Sequence, residues 1–159
     1  MFRYFGSKAT LFRETIFKPL DQHLLAFIKE HMVVEGSLAS VRESANLYTS
    51  ELQRFIAEHA SMLTSLVVAQ TYDTEAAQGV GKINSLRTYF DHGAALMSKR
   101  ARNPKVDPKL MVRVSFVAVL ACLMFKDWIF PPGLASDAKI RDAINTFVLE
   151  GIGANHDIP

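Results

Sequence analysis

Cysteine is nearly missing from this chain: its 159 residues include one, Cys122. That excludes an internal disulfide and any cysteine-rich metal site. Charge of one sign is also scarce. Eighteen Lys and Arg against 16 Asp and Glu leave a formal charge of +2, too weak a bias to argue by itself for nucleic acid or a membrane surface. Long apolar runs are missing as well. The greasiest stretch, VSFVAVLACLMF from Val114 to Phe125, has 12 residues, whereas a free transmembrane helix needs about 20. It reads as a buried helix. Arg3 and Lys8 are not followed by a continuous apolar core, so no secretory leader is expected. Cytoplasm is the simplest compartment, with no membrane partner.

Apolar residues are plentiful, at 49% of the chain against 21% charged. One domain of this length buries about two-thirds of its unfolded surface and holds a core without staples. The composition is slightly greasy for a soluble monomer. It fits a protein that hides extra surface in a partner or around a ligand.

Helical spacing runs along the whole sequence. Gly6 and Ser7 make a turn and an N-cap, and Leu11, Phe12, Ile16, Leu20, Leu24, Phe27 and Ile28 then recur at three- and four-residue steps. Pro19 inside that run should bend or divide the helix. After Glu35-Gly36-Ser37, a second helix carries Leu38, Val41, Ala45, Tyr48, Leu52, Phe55 and Ile56. Glu58 to Ser61 is a joint or a point where the helix runs on, and Met62, Leu63, Leu66, Val67 and Ala69 form a short greasy helix. Asp73 or Thr74 caps the next one, whose apolar side runs from Ile83 through Leu86, Tyr89, Phe90 and Gly93 to Met97. Asp107-Pro108 pairs a cap with proline at the first helical position. The helix after it runs from Leu110 to Phe130 and stops at Pro131-Pro132-Gly133. Ser136 or Asp137 opens the last helix, which closes at Gly151 and Gly153. The expected fold class is all-α, with six or seven helices.

Most chemical motifs fail. Gly79-Val80-Gly81-Lys82 lacks the strand and the glycine spacing of a phosphate loop. The histidines His23, His31, His59, His92 and His156 form no close ligand cluster, so no metal and no cofactor are expected. Cys122 sits in the greasiest helix, where an inert core thiol is the default. The basic loop of Lys99, Arg100, Arg102 and Lys105 reads as a solvated connector. No nucleophile stands on an elbow, and the chain is not expected to be an enzyme.

The helix after Pro108 is apolar on nearly all sides. Leu110, Val114, Val117, Leu120, Ala121 and Met124 form one stripe; Val112, Phe116, Val119 and Leu123 form another. Such a helix must be covered on nearly all sides. With the last helix, bearing Ile140, Ala143, Ile144, Phe147 and Val148, it would build a four-helix interface with a second copy. The interface set is Leu110, Val114, Val117, Ala121, Met124, Ile140, Ile144 and Phe147.

FRYFGSKATLF at the start resembles the end of the DNA-binding segment of TetR-family transcriptional regulators. There a recognition helix ends in aromatics, a Gly-Ser-Lys turn follows, and a long linking helix begins. Phe2, Tyr4 and Phe5 match the aromatics, Gly6 to Lys8 the turn, and Leu11-Phe12 the apolar pair; Thr10 stands where the family often has Glu. EHASMLTSLVVAQ and IRDAINTFVLEGI resemble later helices of the same family. The resemblance implies that residues 1–7 are a remnant of the helix-turn-helix, 8–152 a helical ligand-binding and dimerisation domain, and 153–159 a tail. It implies DNA contacts by Arg3, Tyr4 and Lys8, but only when the preceding two helices are present. By itself this chain is expected to bind DNA weakly or not at all, because one phosphate contact is too little.

The resemblance further implies a small, mostly apolar effector held between the middle helices. The wall set is Met62, Leu66, Gln70, Tyr89, His92, Phe116 and Trp128, each with a plainer reading as a core or helix-end residue. Coupling would run through a shift of the helix after Ser7. The alternative is a helical homodimerisation or protein-interaction module without a ligand.

Overall fold

The computed structural model of the chain describes residues 8–31, 41–72, 84–100 and 106–151. Among these residues every regular element is helical and none is a strand. Helix α1 spans Lys8–Phe12, a π-helical turn spans Arg13–Phe17, and α2 spans Lys18–His31. Then come α3 (Val41–Glu58), α4 (Ala60–Tyr72) and α5 (Asn84–Arg100). Helix α6 spans Pro108–Met124, α7 Lys126–Ile129 and α8 Asp137–Gly151. The expected all-α class holds. No described helix is long and apolar enough to cross a membrane.

Pro19 neither divides nor stops its helix. Its ring lacks the N–H that would reach the Thr15 carbonyl. The preceding turn is widened instead: the Lys18 N–H bonds to the Arg13 carbonyl, five residues back. Thr15 Oγ1 donates to the Leu11 carbonyl at 2.8 Å, and Lys18 pairs with Glu14 at 2.6 Å across the same turn. A π turn adds a residue to the local repeat and so rotates everything that follows around the axis.

Joints and caps follow local chemistry. His59 is the single non-helical residue between α3 and α4. Backbone bonds run straight through it, from His59 N–H to Phe55 O and from Leu63 N–H to His59 O. Asp107 caps α6 as its sequence implies, its carboxylate accepting from the Lys109 N–H at 2.8 Å. The expected Leu110–Phe130 helix is in fact broken at Phe125, whose φ of −105° and ψ of 24° separate α6 from α7. Pro131 to Leu134 closes a turn, with the Leu134 N–H on the Pro131 carbonyl at 3.1 Å. Gly133 there has φ +89°, a value that suits the third position of such a turn. Ser136 rather than Asp137 opens α8, since its carbonyl accepts from the Ile140 N–H. The starts expected at Ser7, Ser37 and Asp73 or Thr74 lie outside the described residues, as do Gly79 to Lys82, Arg102, Lys105 and the Gly153 tail.

One core joins the helices. It takes Phe17 from the π turn, Leu20, Leu24, Phe27 and Ile28 from α2, Leu52, Phe55 and Ile56 from α3, and Leu66 from α4. Tyr89 of α5, Phe116 and Val119 of α6, and Ile140, Ile144 and Val148 of α8 complete it. Burying a large apolar side chain contributes about 1.5–3 kcal/mol, so this set is the main source of stability. α5 packs on α6 and α2, and α3 packs on α6 and α8.

Two polar devices set the helix positions. Asp21 of α2 accepts from the Ser85 N–H at 2.9 Å and the Ser85 hydroxyl at 2.5 Å. A carboxylate thereby satisfies a free amide at the positive end of α5. Between α3 and α8, Gln53 Nε2 donates to Asn145 Oδ1 at 2.6 Å and to the Arg141 carbonyl at 3.2 Å. Asn145 Nδ2 in turn donates to Asn46 Oδ1 and Ser50 Oγ. This amide ladder fixes the register of two helices that apolar packing alone would let slide.

Candidate functional site

Aromatic rings from four helices meet in the core. The Phe27 ring lies 5.2 Å from Phe55 and 5.9 Å from Tyr48. Tyr48 stacks on Tyr89 at 6.1 Å with an interplanar angle of 24°. Tyr89, Phe90 and Phe116 form a triangle with all three centroid separations at 5.4 Å. These offset and edge-on arrangements are the ones ring quadrupoles favour. Met62 and Leu66 of α4 belong to the same hydrophobic core, and the Arg113 guanidinium lies 4.8 Å from the Phe90 centroid.

Besides Arg113 at its edge, the cluster holds two phenols, Tyr48 and Tyr89. Tyr89 is 2% exposed, and the Tyr48 hydroxyl is sealed from solvent; it makes no hydrogen bond of good geometry and has the Tyr89 side chain as its polar neighbour. Burial pushes the Tyr48 phenol well above its ordinary range, and the neighbouring Tyr89 pushes it further the same way. Burial raises the Tyr89 phenol too, while a stabilising contact from Tyr48 acts in the opposite direction. Both therefore stay protonated at any physiological pH and can donate. A buried hydroxyl without a partner costs about 1–3 kcal/mol. A sealed hydroxyl among aromatic rings suits a mostly apolar ligand bearing a hydrogen-bond acceptor.

Of the expected wall set, Met62, Leu66, Tyr89 and Phe116 are gathered in this cluster. His92 is half-buried on α5, and the Gln70 side chain lies outside the described residues. Trp128 does not belong to a wall. It is 84% exposed and stacks on Phe125 at 5.5 Å, because the break at Phe125 carries α7 away from the core. Tyr48 was missed: its place in an apolar stripe reads as simple core, and the signal was the hydroxyl on a side chain at a buried register.

The expected dimer set splits in two. Leu110, Val114, Val117 and Phe147 are exposed, from 56% at Val117 to 70% at Phe147. Ala121 and Met124 are half-buried. Ile140 and Ile144 are each 6% exposed and lie in the chain's own core, so they offer nothing to a second copy. The correction follows from α8 packing on α3 through Asn145, which turns the side bearing Ile140 and Ile144 inward. Cys122 is half-buried and its thiol is pushed up by burial, as fits an inert thiol. Arg3 and Tyr4 lie outside the described residues, as does the Lys8 side chain.

Among the described residues no three His, Cys, Asp or Glu side chains group as metal ligands. No family model, curated protein or solved structure matches the chain.

Proposed function

We propose that this chain is the effector-sensing and dimerising part of a TetR-like transcriptional regulator, binding a small, mostly apolar molecule that alters DNA binding by a protein carrying the complete helix-turn-helix. The observation that carries the ligand is the sealed Tyr48 hydroxyl inside the aromatic cluster. It calls for a mostly apolar compound with a carbonyl or similar acceptor, bound against Tyr89, Phe90 and Phe116. The second copy would sit on the outer face of α6 and α8, where Leu110, Val114, Val117 and Phe147 stand in solvent. Large exposed apolar areas mark interaction surfaces, and a face made by two neighbouring helices can pair with itself about a two-fold axis. A helical dimerisation module without a ligand shares this outer face, and the two readings part at Tyr48.

A matched pair of probes tests the ligand. Benzophenone and diphenylmethane have similar shapes, and only the first carries a carbonyl. Thermal-shift titrations are expected to show benzophenone binding about 10-fold or more tightly than diphenylmethane, the equivalent of one good hydrogen bond. Tyr48→Phe should abolish that preference. The ligand reading fails if neither probe saturates, or if the preference survives in Tyr48→Phe.

A further inference from the structure

His23 and His59 are 36 positions apart in the sequence and touch in the fold, with Nε2 of His59 2.7 Å from Nδ1 of His23. Their rings meet edge-on, 71° apart, with centroids at 4.6 Å. On its other side His59 places Nδ1 2.8 Å from the Phe55 carbonyl and stacks on the Phe55 ring at 4.3 Å. That carbonyl can only accept, so Nδ1 of His59 carries a hydrogen. In neutral His59 the Nε2 is then a lone pair, and the Nδ1–H of His23 donates to it. One added proton is accommodated on either ring, since the contact still joins one N–H to one lone pair. A second added proton sets N–H against N–H at this separation, with two like charges and no acceptor between them.

The surroundings offer little compensation. The positions one helical turn from His23 are Pro19, Leu20, Ala26 and Phe27. Those from His59 are Phe55, Ile56, Met62 and Leu63. None is ionisable. The elements packed nearby do carry charges, but these have other partners. Glu14 is tied to Lys18, Glu51 to Arg54, Arg87 to Asp91 and Asp21 to Ser85. The elements packed here also carry Arg13 in the π turn, Lys29 and Glu30 in α2, Glu43 and Glu58 in α3, and His92 in α5. Helix α4 has no acidic or basic residue from Ala60 to Gln70. Among the described residues no carboxylate lies in ion-pair contact with either imidazole.

We propose that the His23–His59 pair is a proton-operated latch between α2 and the α3–α4 corner, closed with no or one added proton and opened by the second. The open form binds one more proton than the closed form, so falling pH favours it and rising pH favours the closed form. Imidazoles as a class exchange protons in the pH 5–8 range, and that is the range the test spans. Opening releases the helix that follows the π turn from the corner it rests on. The latch requires no effector and stands apart from the ligand reading.

The test is thermal unfolding of the whole chain and of His23→Gln and His59→Gln between about pH 8 and 5, with EDTA present. Glutamine keeps a polar contact and takes up no proton. The wild type is expected to lose at least about 3 °C more in Tm than His23→Gln over that range. Its α2 amides should also gain hydrogen exchange at acid pH beyond the intrinsic rate change, a gain His23→Gln lacks. His23 is solvent-exposed, so His23→Gln is the safe comparison even where His59→Gln disturbs the joint at Phe55. Melting temperatures of wild type and His23→Gln that fall in parallel, within about 1 °C, with equal α2 exchange, overturn the latch.

Discussion

Helix α6 has two apolar sides of almost equal composition and opposite fates. Val112, Phe116 and Val119 are buried against α3, α5 and α8. Leu110, Val114 and Val117 carry the same kind of side chain and stand in solvent. The difference lies in what neighbours supply. The inner side meets rings and phenols from other helices, while the outer side meets only water within this chain. An inner side with a sealed hydroxyl suits a small molecule, and an outer side rich in exposed apolar residues, with Arg113 at its edge, suits another protein surface.

The largest effect should come from emptying the inner side. Phe116→Ala removes a ring that touches both Tyr89 and Phe90, at a cost of about 3–5 kcal/mol. That is a large part of the about 5–15 kcal/mol available to a domain, and chemical denaturation would measure it. The outer side should respond in the opposite manner. Val117→Glu is expected to leave the denaturation midpoint of the monomer within about 0.5 kcal/mol, as an exposed substitution does. It should turn a dimer into a monomer in sedimentation equilibrium. If both variants lose stability alike, the two sides of α6 do not differ in the way described.

The amide ladder sharpens the comparison from the α8 side. Asn145→Ala removes the shorter of the two hydrogen bonds that the buried Gln53 Nε2 donates, leaving the Arg141 carbonyl, and also the bonds from Asn145 to Asn46 and Ser50. It should cost about 1–3 kcal/mol, read as a lower urea midpoint. Tyr48→Phe has a smaller effect of unusual sign. It removes a sealed hydroxyl that makes no hydrogen bond of good geometry, so the unliganded chain should gain up to about 1 kcal/mol while the carbonyl probe binds less well.

The smallest effect belongs to the turn between α7 and α8. Lys126 Nζ lies 2.7 Å from Asp137 Oδ1, and this hydrogen bond and charge hold the carboxyl below its ordinary value. A depressed carboxyl contributes stability that is present above its unfolded value and is lost as pH falls through the folded one. Asp137 is fully exposed, so screening leaves little. Asp137→Asn should alter only the acid end of the melting profile, below about pH 4.

The helices were legible because periodicity and capping are local. Asp107-Pro108 and Pro131-Pro132-Gly133 marked ends that backbone chemistry alone decides. Which side of α6 faces inward was not legible, since both stripes repeat with the same period and similar residues. Ile140 and Ile144 share a helical face with Phe147 in the sequence; the ladder at Asn145, linking positions far apart in sequence, fixes how α8 is turned and leaves Phe147 outside. Trp128 falls in the expected Leu110–Phe130 helix, and only the backbone break at Phe125 takes it out of line with α6. His23 and His59 meet through the packing of α2 on the α3–α4 joint, which no spacing rule encodes. Tyr48 carried its signal openly, a hydroxyl on a buried stripe, but an apolar neighbourhood hid the need for a partner.

The measurement that tests the central claim most directly is tyrosine-ring NMR of the whole chain during a benzophenone titration. The account predicts saturable shifts at Tyr48 and Tyr89, with the Trp128 indole unmoved on its exposed helix. Shifts confined to Trp128 and Phe125, or no saturable change at either phenol, would contradict it.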